Sequence, residues 1–191
     1  PDGAKLLRRP ISISEIDPET QTCRLIYRIE GGGTAIFSQL PIGSKLSVMG
    51  PQGNGFDISV IEAGQKALLV GGGIGVPPLV ETAKQLKAKG VEVVSVIGFA
   101  NKDAVILEDK LRACGEVYVT TDDGSYGIKG YVSTVIDGFD WTPDAVYSCG
   151  APGMLKYVDS KFENHPHAYV SMEARMACGM GACYACVVHV K

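Results

Sequence analysis

The chain has 191 residues, 46% of them apolar and 20% charged, enough for one large domain or two small ones around a sizeable core. Its 18 basic and 21 acidic side chains give a formal charge of −3. That near balance, without a basic stripe or an acidic tail, argues against nucleic acid and membrane surfaces and for small-molecule or protein partners. No apolar run approaches the roughly 20 residues of a bilayer span and no secretory leader opens the sequence, so a cytoplasmic protein is expected.

Residues 1–64 hold short alternating runs broken by glycine and proline and read as antiparallel β structure. In "TCRLIYRIE" the residues Cys23, Leu25, Tyr27 and Ile29 share one face of a half-buried strand, and Arg24, Arg28 and Glu30 the other. Thr34 is placed to cap a short helix over residues 35–40. "KLSVMG" reads as a further strand and "GPQGNGF" as a turn-rich loop. From Lys66 the texture changes to compact apolar runs, "KALLV", "VEVVSVIGF", "EVYVT", "DAVYSC" and "HAYVS", as in buried parallel strands. After the first come "GGGIGVPP" and a helix from Leu79 to Lys89 whose Leu79, Ala83 and Leu86 lie on one face. The repeated strand, loop and helix predict a doubly wound α/β sheet with a ligand crevice at the carboxyl ends of its strands. The texture divides the chain into a β domain over 1–64, an α/β domain over 65–171 and a cysteine-rich segment over 172–191. Cys23 and Cys114 read as small buried thiols.

"GGGIGV" does not fit G-x-G-x-x-G: Gly71 and Gly73 match, but Val76 takes the third glycine position, and the next strand ends in "GFANKD" without a clear acidic residue for an adenosine ribose. Gly71, Gly72, Gly73 and Gly75 still let the backbone approach a pyrophosphate, with a purely structural glycine turn as the competing interpretation. At the other end, Cys178, Cys183 and Cys186 have the C-x4-C-x2-C spacing of plant-type ferredoxins, whose [2Fe–2S] cluster takes a further, distant cysteine. Gly179 and Gly181 allow the loop to wrap an inorganic core with its amides turned inward. His189 offers an alternative, a Cys3His zinc site, although on a strand its spacing from Cys186 turns the two to opposite faces.

Four separated stretches, "RRPISI" from Arg8, "GGGIGVPP" from Gly71, "TTDDGSYGIKGYV" from Thr120 and "YSCGAPGML" from Tyr147, resemble in this order the ferredoxin-NADP reductase superfamily. Adding "CGMGACYAC" from Cys178, the chain is similar over nearly its whole length to the electron-transfer subunits of NAD-dependent, type B dihydroorotate dehydrogenases. The resemblance implies an FAD-binding β-barrel, here partial, followed by an NAD-binding α/β domain and an iron–sulfur segment. It implies that Arg9, Pro10, Ile11 and Ser12 line the flavin, with Ser12 near the reactive nitrogen and Arg9 on cofactor phosphate. Ile26, Tyr27 and Arg28 would follow the cofactor, and Gly33 and Thr34 would approach its pyrophosphate.

On the nucleotide side the resemblance puts Gly71 to Gly75 at NAD phosphates, and Cys149 and Gly150 beside nicotinamide and flavin. Asp122 and Asp123 end the third α/β strand, where an acidic pair would repel a 2′-phosphate and favour NAD over NADP; such residues also simply cap turns. The implied partner is an FMN-containing dihydroorotate dehydrogenase catalytic subunit, joined in a heterotetramer, whose electrons cross the [2Fe–2S] cluster and FAD to NAD+ in pyrimidine biosynthesis. The resemblance also implies further barrel strands before Pro1 and a fourth cluster cysteine within about two dozen residues beyond Lys191. The rival within the superfamily is an electron-transfer subunit of a sulfhydrogenase or sulfite reductase. The rival of another class is a zinc-stabilised, nucleotide-binding regulator without redox chemistry.

Overall fold

In the computed structural model, which describes residues 7–188, the chain opens with an antiparallel hairpin, β1 (Ile13–Asp17) and β2 (Thr22–Leu25), followed by the short helix α1 (Gly32–Ser38). Asp17 shapes the hairpin turn by accepting the amides of Glu19 (3.0 Å) and Thr20 (3.2 Å), the local side-chain-to-backbone bonding that suits aspartate to turns. The strand expected over 22–30 stops at Leu25, and Cys23, expected buried, is exposed. The alternation is real, but its apolar face is poorly covered, with Leu25 40% and Ile29 58% exposed. Residues 45–50 form no strand, and Leu46 and Val48 are likewise exposed. Thr34 is not the cap of α1. The helix begins earlier, with Gly31 at the cap, and Thr34 sits in its first turn, where its hydroxyl accepts the amides of Glu30 (3.1 Å) and Gly31 (3.3 Å).

The remaining elements are β3 (Lys66–Gly72), α2 (Pro77–Ala88), β4 (Glu92–Phe99), α3 (Glu108–Arg112), β5 (Glu116–Thr121), β6 (Ile128–Lys129), α4 (Val132–Ile136), β7 (Ala145–Cys149), α5 (Pro152–Lys161) and β8 (Ala168–Ser171). The strands form one sheet in the order β6-β5-β4-β3-β7-β8, with every pair parallel. All five apolar runs are therefore strands; β3, β4 and β7 are buried almost throughout, which is why they carry no alternation, whereas the edge strand β8 is half-buried. Leu79, Ala83 and Leu86 of α2 and Leu111 of α3 pack on one face; Val132, Val135 and Ile136 of α4 and Val158 of α5 pack on the other.

Packing changes before the texture does. Phe56, Ile58 and Val60 lie against the α2 face of the sheet, Ile61 is fully buried, and Lys89 donates to the Ile58 carbonyl at 3.0 Å. Residues 56–61 thus join the α/β core, ahead of the division expected at residue 64. No helix among the described residues is long and apolar enough to cross a membrane.

Candidate functional site

After β3 the chain moves to β4 on one side, and later returns to place β7 on the other. Strand order reverses there, the place at the carboxyl ends where doubly wound folds generally bind their ligands. Gly71 stands in register with both Ile97 and Cys149. The "GGGIGV" loop and "SCGAPG" consequently meet at this switch point, 78 residues of chain apart at Gly71 and Cys149.

The glycines of the loop divide by what surrounds them. A side chain on Gly75 would come within 2.2 Å of the Cys149 carbonyl oxygen, so the loop can rest on β7 only with glycine at that position. Gly71 and Gly72 are enclosed by side chains instead of backbone, Gly71 by Leu79 and Val76 and Gly72 by the Met154 sulfur. Gly73 differs: its φ of 53° is in the left-handed region and nothing stands within 4 Å of where its side chain would be. Gly73 is the open member of the loop, and the others are packing glycines. Helix α2 begins with Pro77 and Pro78, neither of which has an N–H, so its first turn offers an anion less than most helices do. Donors for a phosphate at this loop must come from the turn over Gly73–Gly75.

Cys149 is 1% exposed, and burial pushes its thiol up, only partly offset by a hydrogen bond with Ser171, its register partner in β8. It is a neutral thiol near pH 7. Asp122 and Asp123, paired in the sequence, separate in role. The Asp123 carboxylate accepts from the Ser125 hydroxyl (2.7 Å) and amide (2.9 Å), bonds that hold it below the usual carboxylate range. Ser125 in turn accepts the Lys102 amide at 2.8 Å, tying the loop after β4 to that after β5. Asp123 is thus a turn former, and Asp122, exposed beside it, is the carboxylate not engaged in that turn.

On the hairpin side, Arg9 crosses the start of α1: a side chain on Gly33 would lie 2.4 Å from the guanidinium. Arg9 also donates to the Leu7 carbonyl, and among the described residues it meets no carboxylate. Arg28, by contrast, pairs with Glu30. Pro10 and Ser12 are exposed, while Ile11, Ile26 and Tyr27 are half-buried, with Tyr27 edge-on to Phe37 at 6.1 Å. The Thr34 hydroxyl donates to the Gly31 carbonyl (3.0 Å) besides accepting its two amides, so it is spent on the helix and not on an incoming pyrophosphate. A guanidinium that meets no carboxylate among the described residues, seated on the buried Gly33 at the start of α1, fits a phosphate group of FAD.

Residues 172–188 have neither helix nor strand. The Met180 amide points at the Cys178 sulfur at 3.4 Å, and it and the amides of Cys183 and Ala182, with the Cys183 thiol, pull Cys178 down to about 6. Amides aimed at a thiolate are what an iron–sulfur ligand needs, and Gly179 and Gly181 both adopt positive φ to aim them. Among the described residues no three His, Cys, Asp or Glu side chains are gathered closely enough to hold a metal ion; the loop brings Cys178 and Cys183 together, and its donor set fits a cluster. His189, on which the zinc alternative depends, lies outside the described residues. Gly179 comes up against the Met49 methyl.

Ser171 has no sequence signal, since it becomes a partner of Cys149 only through the β7–β8 register; the Met180, Ala182 and Cys183 amides serve through backbone geometry that Gly179 and Gly181 signal. Met154 was within reach, four residues after Gly150 on the helix that "APG" begins.

A doubly wound parallel sheet with a glycine loop at its switch point, preceded by antiparallel β structure, is consistent with ferredoxin-NADP reductase-type oxidoreductases. The chain superposes on a solved NADH-dependent reduced ferredoxin-NADP oxidoreductase with a TM-score of 0.83 and 31% identity, covering 94% of this chain and 66% of that one. It shares the fold of the flavohemoglobin from Malassezia yamatoensis, with a TM-score of 0.66 and 19% identity, covering 81% and 44% of the two chains. A family profile, the iron-sulfur cluster binding domain of dihydroorotate dehydrogenase B, matches residues 173–191. Over its whole length the chain is 85% identical to the dihydroorotate dehydrogenase B (NAD(+)), electron transfer subunit, of Streptococcus thermophilus, of which it covers 74%. It is 53% identical to the corresponding subunit of Enterococcus faecalis strain V583, again covering 74%. The chain belongs to the family of dihydroorotate dehydrogenase B (NAD(+)) electron transfer subunits.

Proposed function

We infer that this protein carries electrons from a dihydroorotate-oxidising catalytic partner through a [2Fe–2S] cluster and FAD to NAD+, in the cytoplasm. The observation that carries it is continuity: the cysteine loop abuts Met49, whose segment runs on through Phe56 to lie edge-on against Tyr147 of β7 at 5.4 Å, beside the crevice. When bound, FAD supplies the exchange between the two-electron hydride of nicotinamide and the single electrons of the cluster.

The residues divide the work as follows. Arg9 and the Gly33 backbone hold cofactor phosphate, with Pro10, Ile11, Ile26, Tyr27 and Arg28 along its length, and Ser12 offers its exposed hydroxyl to the reactive ring. The turn over Gly73–Gly75 receives nucleotide phosphate. Cys149 and Gly150 form the floor of the crevice as a neutral, small surface that excludes water without competing as a nucleophile. Asp122 meets the adenosine ribose, while Asp123 shapes its turn. Cys178, Cys183 and Cys186 bind the cluster as thiolates. Functionally, residues 1–64 serve the flavin, 65–171 the nucleotide and 172–191 the cluster.

Stopped-flow reduction of the complex with its catalytic partner tests the nucleotide assignment. NADH is expected to reduce the flavin much faster than NADPH, and Asp122→Asn to narrow the difference. Equal rates for the two donors in the wild type would remove the assignment. Arg9→Ala is expected to loosen FAD by about 1.5–3 kcal/mol, the range for a charged hydrogen bond, whereas Ser12→Ala keeps FAD and slows its reduction.

A further inference from the structure

We propose that Glu81 and Lys84 form a clamp that sets the position of the flavin-side hairpin relative to the nucleotide crevice, making them positioning residues for hydride transfer. The proposal rests on the electron-transfer function inferred above. Its basis is how β1 is held. The Ile16 N–H donates to Glu81 Oε2 at 2.8 Å, and the Ile16 carbonyl accepts from Lys84 Nζ at 3.0 Å. Glu81 and Lys84 are 3.1 Å from each other, one turn apart on α2, and Gln85 donates to Glu81 Oε1 at 3.0 Å. Two side chains therefore satisfy the donor and the acceptor of one peptide residue, as a neighbouring strand would. Beside them Glu15 pairs with Arg24 of β2 (2.9 Å) and with Lys110 of α3 (3.2 Å).

These contacts differ from ordinary surface ion pairs, which contribute little. The Glu81 and Glu15 side chains are each only 16% exposed, and an ionised group bonded to a backbone partner makes a shorter, stronger and more directional bond than a neutral one. The clamp also sits where leverage is high. Helix α2 cannot yield, since its Leu79, Val80, Ala83 and Leu86 are all buried in the core, and it starts directly after the Gly73–Gly75 turn. Ser12 stands immediately before β1, four residues from Ile16, about 13 Å at strand rise. One pair of side chains thus links the strand that presents Ser12 to the helix that follows the nucleotide loop. Reacting atoms must stand within a few tenths of an ångström of productive geometry, and a displacement of about 1 Å can lower a rate about 100-fold.

The test uses the purified complex with its catalytic partner, FAD bound. Glu81→Gln and Lys84→Met are expected to leave FAD content and thermal midpoint near wild type, and NADH affinity within about twofold, while lowering the limiting rate of flavin reduction at saturating NADH by about tenfold or more. Hydrogen exchange of the peptide over residues 12–18 should quicken in both variants. Lys84→Arg, which keeps the donor, should stay close to wild type. The reciprocal exchange Glu81→Lys with Lys84→Glu preserves the ion pair and net charge but sets an ammonium against the Ile16 N–H and a carboxylate against its carbonyl. It should be as slow as the single variants. Recovery in the exchanged protein would reduce the pair to a salt bridge and overturn the clamp, as would an unchanged limiting rate in a variant whose 12–18 peptide exchanges faster. A wild-type complex that NADH fails to reduce would overturn the electron-transfer inference and, with it, the clamp's part in hydride transfer.

Discussion

Tyr147 is the largest of the fully buried side chains, and it spends its one polar atom on a backbone carbonyl. Its hydroxyl donates to Asp57 at 3.0 Å, while its ring stacks on Tyr169 at 5.5 Å and takes Phe56 edge-on. Burial first, then the nearby Tyr169 and Asp57, push the phenol up to about 12. The folded state therefore refuses a proton loss that the unfolded chain accepts near pH 10, so this contribution to stability is complete below about 10 and falls away towards 12. Tyr147→Phe is expected to cost about 1 kcal/mol, through the orphaned Asp57 carbonyl, and to flatten the alkaline limb of a denaturation series. The cysteines offer a second measurement at this scale. Cys23 is exposed, Cys114 half-buried and Cys149 enclosed, and burial raises both of the latter thiols. Of these three, iodoacetamide at neutral pH should alkylate Cys23 first and leave Cys149 intact in peptide mass maps.

At the scale of the element, the loop between β3 and α2 holds two kinds of glycine that sequence spacing treats alike. Gly75→Ala forces a methyl against the Cys149 carbonyl, backbone that cannot step aside, and should cost more than the roughly 1–3 kcal/mol usual for an overfilled core. Gly73→Ala meets open space and only the strain of a positive φ, about 1–2 kcal/mol, yet it covers the one glycine of the loop with open space before it. Thermal melts should rank Gly75→Ala as the less stable variant, and NADH titration should show weakened binding in Gly73→Ala even where its fold persists. Helix α2 itself was legible: a helix over Leu79–Lys89 is expected and Pro77–Ala88 is found, because its apolar face repeats at helical spacing. The strand over 22–30 was legible only in part. Its alternation is equally clear, but an alternating pattern becomes a full strand when something covers the apolar side.

Across the whole molecule, large apolar side chains gather around the cysteine loop. Met172 is 55% exposed, Met180 63%, Tyr184 77% and Val187 64%, a concentration that suits an interface better than water. A cluster in that loop passes electrons onward only with its redox partner close by. Met180→Asp and Tyr184→Asp should each weaken copurification with the catalytic subunit while sparing NADH oxidation by artificial acceptors. Unchanged association in both would remove this surface from the interface.

The sequence by itself determined the parallel strands, the amphipathic face of α2, and the cysteine spacing, since each is a pattern written within a few turns of chain. The tertiary structure alone decided how those parts are used. Ile16 is gripped by Glu81, 65 residues away; Gly75 is required by the backbone of Cys149, while Gly73, two residues before it, meets open space. None of these is visible locally, because a hydrogen-bond partner or a steric neighbour is chosen by which surfaces meet when the core closes, and residues identical in type then acquire different work.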